Sequence, residues 1–189
     1  MPRAKGDPIL GSVDLASPIP PDASVESGRD AYLAENGFTV AAYEDPWTEA
    51  SFLGIKFRVP NTARHREAIR LHDLHHVVTG YGTDLVGEGE VSAWELRRGL
   101  RGLGAYVGSI VFTGALAGLL VAPRRTLAAW RASRPGGSLF QSRTDYATLL
   151  AMSVGELRRD LGVPQRGAAP SPRRLHAFAP ASSHARTTS

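Results

Sequence analysis

Between residues 64 and 78 the apolar positions Leu71, Leu74 and Val78 recur at helical spacing and form one stripe. Asn61 or Thr62, just after Pro60, can cap the start of that helix. Upstream, residues 26–35 predict a short helix with Tyr32 and Leu33 turned inward, stopped by Asn36-Gly37. Between them the period changes to two. Ile55, Phe57 and Val59 alternate with Lys56 and Arg58, and Leu53-Gly54 separates them from residues 47–52. That pattern predicts a small β-hairpin.

Downstream, Thr83 or Asp84 can cap a helix running to about Gly102, which carries Glu88, Glu90, Trp94, Glu95 and Leu96. Glycine disfavours helix by up to ~1 kcal/mol against alanine. Gly87 and Gly89, on either side of Glu88, therefore call for a reason: a close approach to the 64–78 helix would be one, and a frayed first turn is the alternative. Residues 102–123 contain no charge, and 105–122 are long enough to span a hydrocarbon core. Ser109, Thr113 and the glycines at 104, 108, 114 and 118 weaken that signal. The stretch reads first as a buried central helix, next as the lining of an apolar ligand channel, and last as a membrane span. Gly104 with Gly108, and Gly114 with Gly118, have the spacing of close helix packing. A groove left by Gly114 and Gly118 and lined by Leu116, Leu119 and Leu120 could take an apolar tail.

Arg124, Arg125, Arg131 and Arg134 surround Trp130, a composition suited to a membrane interface or to anionic head groups. A helix over 144–152 offers Tyr146, Leu149 and Leu150 for packing. Ser153 and Glu156 fit a capping box opening a last helix with Leu157 and Leu161, closed by Gly162 and Pro164. The predicted fold is mainly α, a bundle-like single domain with a short N-terminal β-hairpin.

Composition changes this picture at the ends. Residues 1–22 hold five prolines without the apolar run of a signal peptide, and residues 165–189 are rich in Pro, Ala, Ser and Arg. Both read as disordered tails around a domain at 23–164. The formal charge of +4 is misleading, because residues 165–189 carry four arginines and no acid. The rest is near neutral, which argues against nucleic acid as a partner. A cytoplasmic location is the default. Without cysteine, a metal would be held by nitrogen and oxygen alone, which suits zinc and also manganese, iron or magnesium.

The candidate chemistry lies in His72-Asp73-Leu74-His75-His76 and in Glu88, twelve residues further on. On a helix, His72 and His76 lie ~40° apart and about 6 Å along the axis, where two imidazoles can share one divalent ion. Asp73 borders that face and could ligate the ion or orient a ligand. Glu88 would arrive from the next helix across the glycine turn. The apolar stripe faces away, so the histidines do not share the packing face of their own helix. Zinc peptidases place glutamate directly after the first histidine, where Asp73 stands here, and His-Asp phosphohydrolases need a further histidine from another helix. Tyr81 and Asp84, in the turn, could contact a ligand, although ordinary turn and cap roles account for them.

His72-Asp73-x-x-His76, eleven residues and Glu88, within LHDLHHVVTGYGTDLVGEGEVSAWEL, resembles the signature of the coenzyme Q (ubiquinone) biosynthesis protein four family, here Coq-four. A weaker likeness covers roughly 43–163, including the closing ELRRDLGVP, as in a short bacterial-type member. The resemblance implies a helical protein working at a membrane surface, peripheral on the inner face of the cell membrane. It implies His72, Asp73, His76 and Glu88 as metal ligands, but not His75. The implied activity removes the carboxyl group and hydroxylates ring carbon one of a polyprenylated quinone precursor. Residues 1–42 do not show the longer helical region of eukaryotic members, so another isoprenoid lipid could be the ligand. The alternative is a non-catalytic lipid-binding or scaffold subunit among other biosynthetic enzymes, or a homo-oligomer.

Overall fold

In a computed structural model the chain is described over residues 19–52 and 55–170. The fold is mainly helical. Ser24 caps α1 (Val25–Glu35) by accepting from the Ser27 backbone N–H. A 3-10 turn, Val40–Glu44, leads into β1 (Trp47–Phe52), which pairs antiparallel with β2 (Ile55–Pro60), Trp47 opposite Pro60 and Phe52 opposite Ile55. The expected hairpin is present, and its Leu53-Gly54 turn lies outside the described residues. The Thr62 hydroxyl accepts from the His65 N–H and starts α2 (Ala63–Thr79), which ends at Gly80 with φ +77°. Asp84 caps α3 (Leu85–Arg98) through the Gly87 N–H. Then follow α4 (Gly104–Val121), α5 (Pro123–Ala132), α6 (Tyr146–Ala151) and α7 (Val154–Asp160). The capping box between Ser153 and Glu156 is formed as its sequence predicts.

The main core surrounds α2. Leu74, Val77 and Val78 pack with Val25 and Leu33 of α1, Val91 and Trp94 of α3, and Leu157 of α7. Two of the three predicted stripe residues, Leu74 and Val78, are fully buried there. A second apolar cluster joins Ala68 of α2 to Leu103, Val107 and Val111 at the start of α4.

The expected domain limits are too narrow. Arg158, fully buried, donates to the carbonyl oxygens of Val78 (3.0 Å), Ile19 (2.9 Å) and Gln165 (2.7 Å). A guanidinium suits this place because the last carbonyls of α2 have no partner within the helix and form its negative end. The N–H groups of Ala168 and Ala169 bond to the Thr79 carbonyl, and that of Gly155 bonds to the Pro21 carbonyl. Residues 19–22 and 165–170, expected in the tails, are therefore tied to the fold. The remainder of both expected tails, 1–18 and 171–189, lies outside the described residues.

The charge-free helix is the largest departure from expectation. Far from central, α4 buries only Val107, Val111, Ala115, Ala117 and Gly118. Its outer face exposes Phe112, Leu116, Leu119 and Leu120, the last at 75%. Among the described residues it is the one helix long and apolar enough to cross a membrane, with a mean hydropathy of 1.8. Among the described residues α3, α5 and the middle of α2 lie against it, so one face is covered and the other is left open.

Candidate metal centre

Local signals place the donors. The Thr62 cap starts α2 and sends His72 and His76 out on one side, a turn apart. The Gly80 turn reverses the chain, and the Asp84 cap puts Glu88 in the first turn of α3, where the helix dipole favours a carboxylate. His72 Nε2 and His76 Nε2 lie 3.1 Å apart. Glu88 Oε2 is 3.3 Å from His72 Nε2, and its Oε1 is 3.4 Å from His76 Nε2. Tetrahedral ligands at about 2.0–2.1 Å from a zinc ion are spaced by roughly 3.3 Å. The three side chains could therefore hold a metal ion, and among the described residues they form the one such group.

The bonds made by the other ring nitrogens support this fit. His76 Nδ1 is 3.0 Å from the Tyr81 carbonyl oxygen, which can only accept, so Nδ1 carries the proton and Nε2 a lone pair. His72 Nδ1 is 2.8 Å from a carboxylate oxygen of Glu95, with the same consequence. With both rings neutral, two Nε2 lone pairs face each other beside a carboxylate, an arrangement that needs a cation or a proton between them. Tyr32 stacks on His76, ring centroids 5.3 Å apart, and holds its plane. His76 is buried, whereas the Glu88 side chain is 39% exposed, so the group is open on one side.

Charge follows from this packing. Burial opposes ionisation of Glu88, but His76 and His72 outweigh it and hold the carboxyl well below its usual range. Burial likewise opposes a charge on His72, yet Glu95 and Glu88 raise its pKa well above the ordinary imidazole value. In Glu95, burial is outweighed by His72 and His75, and the carboxyl is held at about 2.

Asp73, the fourth expected ligand, lies outside the three-residue group. Its buried carboxylate accepts from the Tyr43 hydroxyl, and burial raises its pKa despite the neighbouring His72. Of the two roles left open for it, a bond to a ligand imidazole is not formed; the carboxylate is taken by Tyr43 instead. Tyr81 contributes its carbonyl to His76, while its buried hydroxyl has no hydrogen-bond partner. Asp84 serves as the cap.

Gly87 and Gly89 do permit close approach, but not to α2. A Cβ on Gly87 would lie 2.8 Å from Gly82 Cα, and one on Gly89 would lie 3.1 Å from Gly118 N. They seat α3 on its own entry turn and on α4. The Gly114–Gly118 face is accordingly filled: a Cβ on Gly114 would meet Ser92, and one on Gly118 would lie 2.6 Å from Gly89 Cα. No groove remains between these glycines, and Leu116, Leu119 and Leu120 sit on the outer face instead. Gly104 and Gly108 are not a packing pair either, since Gly104 turns with φ +74° and Gly108 meets only Leu100.

Of the expected interface residues, Arg125 points inward and pairs with buried Glu90 at 2.8 and 2.6 Å. Arg124 and Arg131 are exposed. Trp130 is partly exposed, with the Arg97 guanidinium 5.6 Å from its ring centroid.

Glu95 is the residue that sequence reasoning passed over as a site member. It stands seven residues after Glu88, hence two turns along nearly the same face of α3, and that spacing was the available signal. His75, also fully buried, donates from Nδ1 to Glu95 (2.6 Å) and accepts at Nε2 from the Leu139 N–H (3.1 Å). No protein-family model, curated protein or solved structure matches this chain.

Proposed function

We propose that the chain binds a divalent ion, zinc by preference, at His72, His76 and Glu88 and uses it on the ring of a polyprenylated quinone precursor at a membrane surface. The reaction proposed is that implied by the Coq-four resemblance, loss of the ring carboxyl group with hydroxylation at ring carbon one. The observation that carries the reading is the approach of His72 Nε2 to His76 Nε2, 3.1 Å, beside the carboxylate of Glu88 at 3.3 and 3.4 Å. When bound, such an ion supplies Lewis acidity toward the ring carboxylate and phenolic oxygens, easing loss of the carboxyl group as carbon dioxide.

The chain's own residues account for the rest. Tyr81 and Glu95 hold the two imidazoles in the donor tautomer, and Tyr32 closes one side of His76. The open side, at Glu88 and His72, admits the ring. A Cβ on Gly114 of α4 would lie 3.9 Å from the Glu88 carbonyl, so α4 passes beside this turn. Its exposed Phe112, Leu116, Leu119 and Leu120 offer apolar surface to a prenyl tail and to lipid, at ~25 cal/mol per Å² buried. Exposed Arg124 and Arg131, with Trp130, lie on α5, the helix that directly follows α4.

Turnover tests the reading. Zinc-loaded protein, given a prenylated ring substrate labelled at its carboxyl group and dioxygen as the two-electron oxidant, releases labelled carbon dioxide. The His76→Ala variant does not. Because the donors come from two helices, an ion there would also cross-link α2 to α3, which favours a scaffold subunit as the second reading. Tight binding of the precursor without release of carbon dioxide would establish the scaffold and end the enzymatic reading.

Membrane attachment has its own expected outcome. The protein floats with vesicles containing anionic lipid, less so at high salt, because part of the attraction is screened charge. Leu120→Glu on the open face reduces flotation severalfold while leaving metal content unchanged. Equal flotation of that variant would remove α4 from the interface.

A further inference from the structure

His75 looks from its sequence like a spare member of the histidine cluster, but its bonds give it a different task. The Leu139 N–H donates to His75 Nε2 (3.1 Å), which leaves the ring proton on Nδ1. That Nδ1–H donates to Glu95 Oε1 (2.6 Å), the same oxygen that receives the Nδ1–H of His72 (2.8 Å). Glu95 and His75 are both fully buried, and Glu95 Oε2 has no hydrogen-bond partner. One carboxylate oxygen is thus held between two imidazole N–H groups, with no route for either ring to turn without losing a buried bond.

We infer that Glu95, clamped by His75 and the Leu139 backbone, is the positioning residue that fixes the tautomer and plane of His72 and raises its basicity toward the ion. This rests on the metal reading above and extends it inward from the three donors. The chemistry is ordinary for imidazole ligands. A carboxylate on the far ring nitrogen fixes the lone pair on the metal-facing nitrogen, and losing such a partner weakens binding roughly 10–100-fold. The loop at 138–141 belongs to the same chain of contacts. It reaches the ion through four links, Leu139 N–H, His75, Glu95 and His72, without touching any donor atom.

Cobalt(II) serves as the probe, because its visible spectrum reports ligand geometry and its affinity can be titrated directly. Glu95→Gln keeps size and one acceptor oxygen but removes the charge. Its cobalt affinity falls roughly 10–100-fold, and its ligand-field bands shift while the helical circular dichroism remains. His75→Phe retains the ring against Trp94 and Phe140 and weakens cobalt binding in the same direction. Because His75 acts through Glu95, the double variant binds no more weakly than Glu95→Gln alone. If Glu95→Gln does not fold, His75→Phe alone carries the test through its affinity and band positions. Wild-type affinity and spectrum in the folded variants, with binding lost in His76→Ala, would overturn the relay and leave the metal site standing. Failure of the wild type to take up cobalt would overturn both.

Discussion

Alanine in place of His76 abolishes divalent-metal binding, a loss expected to exceed about 100-fold because even an outer partner of a ligand is worth roughly 10–100-fold. His76 contributes Nε2 at 3.1 Å from His72 Nε2 and 3.4 Å from Glu88 Oε1, so without it only two donors remain. The variant also leaves a gap under the Tyr32 ring and loses the bond to the Tyr81 carbonyl. A cost of about 1–3 kcal/mol in folding stability follows from such a gap and lost bond. Titration with zinc and urea unfolding of the metal-free protein separate the two effects. His65→Ala is the control, another buried histidine of α2 that lies outside the donor group, and it keeps its metal. Equal zinc affinity in His76→Ala and wild type would remove His76 from the site.

Leucine at Gly118 disrupts the fold itself. A Cβ there would lie 2.6 Å from Gly89 Cα and 2.8 Å from Thr126 Oγ1, and the nearer neighbour is backbone. Side chains can rotate away from an intruder, whereas two helix backbones must separate. The expected cost lies at or beyond the ~3 kcal/mol upper end for overpacking. Gly89 adjoins Glu88, so separation of α3 from α4 displaces a donor, and zinc affinity falls together with stability. Had the glycine face been a groove for a prenyl tail, leucine would have blocked lipid and spared both. A Gly118→Leu variant with wild-type urea midpoint and zinc affinity would show that the helices are not in contact at this point.

These two residues mark how far the chain could be read in advance. Thr62, Gly80 and Asp84 are local signals, and together they set the phase and ends of α2 and α3. Those phases are enough to bring His72, His76 and Glu88 together. Asp73 shares the sequence motif but not the outcome, because Tyr43, thirty residues earlier, takes its carboxylate. A spacing rule carries no information about that distant hydroxyl. Gly87 and Gly89 announce a close approach without naming the neighbour, and the neighbours are Gly82 and Gly118 rather than α2.

The charge-free helix misleads for a related reason. A segment that is apolar all round reads as buried, yet burial depends on how many other elements can cover it. Here α3, α5 and part of α2 cover one side of α4. Arg158 shows the reverse: nothing in ELRRD marks it out, and it is fully buried against carbonyls of α2, Ile19 and Gln165. Glu95 was legible in principle, two turns from Glu88 on nearly the same face. What could not be read is that His75 and Leu139 close the far side of it.

The most direct test of the central claim is X-ray absorption spectroscopy at the zinc edge, on protein loaded with one equivalent of zinc. The account predicts a shell of nitrogen and oxygen at about 2.0–2.1 Å, with the outer scattering of two imidazole rings, from His72 and His76. A zinc ion surrounded by oxygen alone, or one carrying three imidazoles with His75 among them, would contradict it.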